Sequence, residues 1–136
     1  GKEAILEAFL QRRDQRWRSQ LADFVEQRPD PYDRVMAVFD WLERWFTEPG
    51  FRGCGWINAF GELGGTSTTV QREVVKHKTL FKQQLTDWVA AAGANEAVAE
   101  QLFLLTEGAM VTAGITGDPS SARTAKAAAQ HLMRPR

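Results

Sequence analysis

Cysteine, histidine and net charge are what this sequence has least of. A single cysteine, Cys54, cannot close a disulfide within the chain, which excludes a stapled secreted scaffold and suits a reducing, cytoplasmic compartment. Two histidines, His77 and His131, joined to that one thiol offer no metal-ligand spacing, so neither a metal nor a cofactor is expected. Seventeen Lys and Arg balance seventeen Asp and Glu. A free-standing nucleic-acid binder is usually basic, so this chain is not expected to contact nucleic acid itself. Apolar runs are only a few residues long, which predicts no membrane span. The start, GKEAILEAFLQRRDQRW, lacks the charged, apolar and small-residue zones of a signal peptide. Strand-like alternation of useful length is missing too.

Helical spacing is what the chain has instead, and it recurs six times. Leu6, Leu10, Trp17, Leu21 and Phe24 form the stripe of a helix from about Lys2 to Gln27, which Pro29 and Pro31 end. Asp30 and Pro31 open a second, with Val35, Phe39, Leu42, Trp45 and Phe46 inward and Val38 and Trp41 widening the face. So wide an apolar face predicts a central helix packed on several sides. A short helix is expected at about Cys54 to Leu63 and a long one at about Thr69 to Ala92, carrying Val70, Val74, His77, Phe81, Leu85 and Trp88. A fifth begins near Asn95, with Gly114 and Gly117 loosening its end, and a sixth begins at Asp118 and Pro119. The expected fold is an all-α six-helix bundle, with residues 1–136 as one domain.

The last two helices differ from the rest in residue size. Gly108, Ala109, Ala113, Ala122, Ala125, Ala128 and Ala129 would let helix axes approach closely. Such a pair buries little alone and is expected to meet an identical pair across a two-fold axis, forming a four-helix contact. The residues assigned to that homodimer interface are Leu102, Leu105, Ala109, Ala113, Ala122, Ala125, Ala129 and Leu132.

Three features could carry chemistry. Cys54 lies between Gly53 and Gly55 near a helix start, where a thiolate would be stabilised, but no recognisable cysteine-enzyme motif supplies a base. Burial as a small hydrophobe at a tight corner of Gly53, Cys54 and Gly55 is the favoured reading. RRDQRWR (12–18) reads as a solvated face with intrahelical pairs, apart from Arg13, which is read as sharing the stripe of Leu10 and Trp17. Trp17, Phe39, Trp45, Phe46, Phe51, Trp56, Phe60 and Phe81 come from four helices and one turn, with Asn58 and His77 among them. Aromatic walls with sparse polar groups describe a cavity for a mostly apolar or aromatic small molecule. Arg13, Trp17, Phe39, Leu42, Trp56, Asn58, Phe60, His77 and Phe81 are its expected lining, and no residue is assigned a catalytic role.

The chain as a whole resembles the C-terminal ligand-binding and dimerisation domain of the TetR family of bacterial transcriptional regulators. KEAIL (2–6) is similar to the segment where that family's DNA-binding domain gives way to a long linking helix. FRGCGWINAFGE (51–62) resembles the family's Phe-Arg-Gly-Cys signature and the short helix after it. EGA (107–109), before an alanine-rich last helix, matches the dimerising pair. The resemblance implies a non-enzymatic effector domain, an inducer among the first four helices, and DNA contact only through a helix-turn-helix that precedes Gly1 and is absent from this chain. Two other readings stay open: an all-α enzyme using Cys54 or His77, and a dimerisation domain without a ligand.

Overall fold

The structure, a computed structural model, describes residues 1–134. Six helices follow one another: α1 (Lys2–Glu26), α2 (Pro31–Phe46), α3 (Gly55–Leu63), α4 (Thr68–Ala91), α5 (Glu96–Thr116) and α6 (Ser121–Leu132). No strand occurs among the described residues. Local chemistry sets most of the ends. Ser67 Oγ accepts from the Val70 N–H at 3.2 Å and Asn95 Oδ1 from the Val98 N–H at 3.0 Å, each satisfying a donor that the first turn leaves free. Asp30 takes the position before α2 with an extended backbone, yet its side chain makes no capping bond; Pro31 supplies the start. Gly117 ends α5 at φ 73°, a left-handed conformation that glycine adopts without strain. The Asp118–Pro119 start falls short of the helix: Asp118 Oδ1 accepts from Ser120 N–H in a turn, and α6 begins at Ser121.

α2 is the hub. It packs on α1, α4, α5 and α6, and Val35, Val38, Phe39 and Leu42 along it are sealed from water. Each such side chain contributes on the order of 2 kcal/mol by leaving solvent. The α3 backbone runs close to that of α4 alone among the helices, at one side of the bundle, and its first turn reaches α1 through side chains.

The small residues of the last two helices let helices approach closely within the chain itself. Leu102, Ala109, Ala113, Ala122, Ala125 and Ala129 are all buried within the single chain. They let α6 nest against both α5 and α2. Ser121 Oγ bonds the Ala109 carbonyl at 3.0 Å, and Lys126 and Arg123 of α6 pair with Asp40 and Glu43 of α2. Only Leu105 and Leu132 of the assigned interface keep much accessible surface.

α5 is long and apolar for a bundle helix. Its 21 residues reach a mean hydropathy of 1.2 over an 18-residue window, so one helix is long and apolar enough to cross a membrane by length and composition. Its contacts with α2, α4 and α6 make it a bundle helix here, and the apolar residues left outside stand on one stripe. Leu104, Gly108, Val111 and Ile115 recur at helical spacing, with Leu104 68% and Ile115 81% exposed.

The corner at Gly53 is a backbone crossing. Gly53 sits at φ 92°, and its backbone passes so close to Gly114 of α5 that a Cβ on Gly114 would come 2.7 Å from the Gly53 Cα. No flexible side chain is there to yield. Gly114→Ala should therefore destabilise the chain by about 1–3 kcal/mol through overpacking. Gly61→Ala, in α3 with nothing near its would-be Cβ, should instead be neutral or stabilise by up to about 1 kcal/mol. Urea denaturation midpoints measure both; equal stability of Gly114→Ala and the unmodified chain would contradict the crossing.

Candidate functional site

The aromatic residues do converge, and they fill the space themselves. Trp17 is the centre: its ring lies edge-on to Trp41 at 5.1 Å, Trp45 at 5.7 Å, Trp56 at 6.2 Å, His77 at 5.2 Å and Phe81 at 4.9 Å. Edge-to-face contacts place the positive rim of one ring on the negative face of another, a stabilising geometry. Phe39, Leu42, Trp56, His77 and Phe81 are fully buried with it. The expected lining thus forms a packed wall. Two donors inside it are unmet: the indole N–H groups of Trp17 and Trp56 are buried without a hydrogen-bond partner in the chain. Such a group costs about 1–3 kcal/mol, which an acceptor brought among the rings would relieve.

The polar group built into this wall is Asp14, not Arg13. Asp14 is buried on the stripe between Leu10 and Trp17. It accepts two bonds from Arg18, at 2.9 and 2.8 Å, and meets His77 Nδ1 at 2.6 Å. Burial works to raise its pKa, but the bonds from His77 and Arg18 outweigh it and bring it down to about 2. The His77 ring lies flat on Trp56, with centroids 3.6 Å and planes 6° apart. Burial lowers the His77 pKa against the opposing pull of Asp14. Beside an ionised carboxylate a neutral imidazole must donate from Nδ1, which fixes its tautomer and anchors α4 to α1.

The remaining expected residues lie elsewhere. Arg13 is exposed; its guanidinium reaches across Gly55, whose missing Cβ makes the room, and stands 5.5 Å from the Trp56 ring. Gly55 therefore accommodates an arginine, while Gly53 makes the turn. Asn58 is exposed and donates to the Arg52 carbonyl at 3.0 Å, closing the corner. Phe60 is half exposed on the outside of α3.

Phe60 belongs to a groove that sequence reasoning did not find. It runs between α3, α4 and α5, has a volume of about 430 Å³, and is lined by Ile57, Phe60, Val74, Val75, Lys78, Thr79, Lys82 and Phe103. Lys78 binds Glu107 at 2.8 Å and donates to Cys54 Sγ at 3.3 Å; Lys82 binds Glu100 at 2.9 Å. The available signal was the Lys78–Lys82 pair at i, i+4 facing Glu100, Phe103 and Glu107 on the next helix. Nothing in one sequence says that those two faces meet.

No catalytic assembly forms among the described residues. Cys54 is buried against Lys78, His77 is committed to Asp14, and no group of three His, Cys, Asp or Glu residues able to hold a metal occurs among the described residues. Both resolved shifts in the wall have one sign for stability. His77 folds with a pKa below its usual 6.5, so stability present above pH 6.5 is lost as pH falls through the folded value. Asp14 adds stability that is present above about pH 4 and lost on the way down to about 2. The melting temperature should therefore fall between pH 7 and 5, and fall less in His77→Phe, whose ring keeps the stacking and cannot titrate. Calorimetry at the two pH values measures this, and an identical drop in both proteins would contradict the assignment.

No protein-family model and no curated protein matches the sequence. Among solved structures, a crystal structure of a TetR-family transcriptional regulator from Streptomyces coelicolor is similar across 98% of this chain and 67% of its own, with 29% sequence identity and a TM-score of 0.87. TetR-family regulatory domains are non-catalytic, in keeping with the separated Cys54 and His77. Six helices in this order, and that match over nearly the whole length, give the chain the C-terminal-domain-like fold of a TetR-family transcriptional regulator, with no helix-turn-helix among its described residues.

Proposed function

We propose that this domain dimerises and senses a mostly apolar small molecule on behalf of a bacterial, cytoplasmic transcriptional regulator whose DNA-reading part is a separate helix-turn-helix. The observation that carries the reading is the uncovered apolar stripe on α5 and α6 of a TetR-like fold. A shallow groove lies along it, with Leu104, Leu105 and Gly108 on one side, Thr124 and Ala128 on the other, and Ala109 and Ala125 in the floor; Leu132 continues it. A second copy related by a two-fold axis would lay the same stripe over it, removing Leu104, Val111 and Ile115 from water.

For the effector, two features support a site near α4. One is the groove beside Phe60 and the other is the pair of unmet indole donors in the aromatic wall. His77 and Lys78 are neighbours on α4: the first holds α1 through Asp14, the second lines the groove. A ligand that prefers one position of α4 would thereby bias α1, the helix that by resemblance leads to the DNA-reading heads. That bias is no larger than the ligand's difference in affinity for the two positions. A ligand-free dimerisation domain is the second reading, favoured by how completely the wall packs on itself.

Leu104→Glu should convert a homodimer to monomers at micromolar concentration. Leu104 is exposed in the single chain, so the change leaves the fold intact, while each dimer would bury two unpaired carboxylates at a cost of several kcal/mol each. Light scattering measures it, and a monomeric unmodified chain would remove the dimer from the proposal.

A further inference from the structure

We infer that the face of α1 around Arg12, Arg13 and Arg16 is a second ligand site, and that it takes an aromatic phosphomonoester. A concavity of about 380 Å³ opens there, a size that holds small molecules, lined by Phe9, Arg12, Arg13, Arg16, Trp17 and Gln20. It shares no lining residue with the groove beside Phe60. The inference goes beyond the effector-domain reading and does not depend on it. All three guanidinium groups belong to exposed residues, and none has an ion-pair or hydrogen-bond partner among the described residues. The sequence and the packing of α1 explain why. Asp14 is the only acidic residue between Glu7 and Asp23, and it turns inward to Arg18 and His77. No carboxylate is left to line the concavity.

Arg16 stands three residues beyond Arg13 and four beyond Arg12, the spacings that set helix side chains next to one another. Arg13 is held in addition by the Trp56 ring, 5.5 Å from its guanidinium, and by the room over Gly55. A phosphomonoester offers three acceptor oxygens and close to two negative charges at pH 7. That suits three planar guanidinium forks better than the two oxygens and single charge of a carboxylate. The arginines have no partner to surrender, so the anion displaces only water. One exposed charge contact shifts an equilibrium by only about two- to fivefold, but three acting on one phosphate multiply to about tenfold. The body of the ligand meets Phe9, which is 53% exposed, with Trp17 as the floor. An aromatic ring covers that surface and stacks on Phe9 or on a guanidinium plane. An aliphatic body gains the apolar contact without the stacking.

Isothermal titration calorimetry at low ionic strength with naphthyl phosphate, naphthol and inorganic phosphate tests this on the unmodified chain. Naphthyl phosphate should bind about tenfold tighter than naphthol and several-fold tighter than inorganic phosphate, which lacks the ring. Arg16→Gln should weaken naphthyl phosphate by about two- to fivefold. Replacing Arg12, Arg13 and Arg16 together by Gln should bring it down to the level of naphthol and leave naphthol unchanged. All three positions are exposed, so folding is not at stake. Lys2→Gln removes one positive charge from another exposed position of α1 and should change nothing. If it weakens binding as much as Arg16→Gln does, the attraction is diffuse and the inference fails. Equal affinity for naphthyl phosphate and naphthol, or no binding of either, overturns it as well. Val75→Asp in the groove beside Phe60 should leave naphthyl phosphate unaffected; loss of binding there assigns the ligand to that groove and overturns the second site. A short DNA duplex that binds through these arginines while naphthyl phosphate does not makes the face a nucleic-acid surface, and the inference again fails. Dimerisation read by light scattering on the same samples stands or falls separately.

Discussion

A carboxylate in an apolar interior must be surrounded by donors or it will take up a proton, and Asp14 meets that condition with groups from two helices. Arg18 supplies both of its bonds from one turn further along α1, and His77 supplies the third from α4. The rest of the wall follows from this arrangement. With His77 turned toward Asp14, the face of its ring is presented to Trp56, which stacks on it. Trp56 at the start of α3 thus ties α3 to the α1–α4 seam, and Trp17 closes the cluster against α2.

That seam makes α4 the element through which events at the bundle surface reach α1. Its inner side carries His77 and Phe81 into the aromatic wall; its outer side carries Val75, Lys78 and Lys82 along the groove. A helix with one face locked by a buried charge network and another lining a groove moves as a unit or not at all, because interiors are packed too closely to deform gradually. The tight crossing of Gly53 over Gly114 pins the loop before α3 to α5 in the same way. Displacing α3 therefore involves α5, the helix that carries the exposed apolar stripe.

The aromatic stripes of α1, α2 and α4 were legible as periodic patterns, and those residues do meet. Their meeting as a packed wall was not legible, because periodicity reports which side of a helix faces inward and not how much space remains there. Arg13 and Asp14 show the same limit at one residue's resolution. Neighbours on a helix differ by about 100° in direction, and Asp14, read as part of a solvated face, took the buried side while Arg13 swung outward over Trp56. The spacing Leu10, Asp14, Trp17, Leu21 carried the signal for Asp14, but a charge on an apolar stripe makes sense only once His77 is known to stand opposite.

What the sequence determined by itself is whatever acts over a few residues. Helical periodicity, the caps at Ser67 and Asn95, the proline at the head of α2 and the glycine at the end of α5 specify six helices and most of their limits. Small side chains on α5 and α6 likewise determined that something would approach closely. Tertiary structure decided what approached: α6 settles on α5 and α2 of its own chain, leaving Leu104, Val111 and Ile115 as the outward stripe. It also decided the groove, since Lys78 and Lys82 find Glu107 and Glu100 some 18 to 29 residues away in sequence. Local propensity reaches about one helical turn along the chain. Packing and charge pairing between helices depend on where the chain returns, which no local pattern encodes.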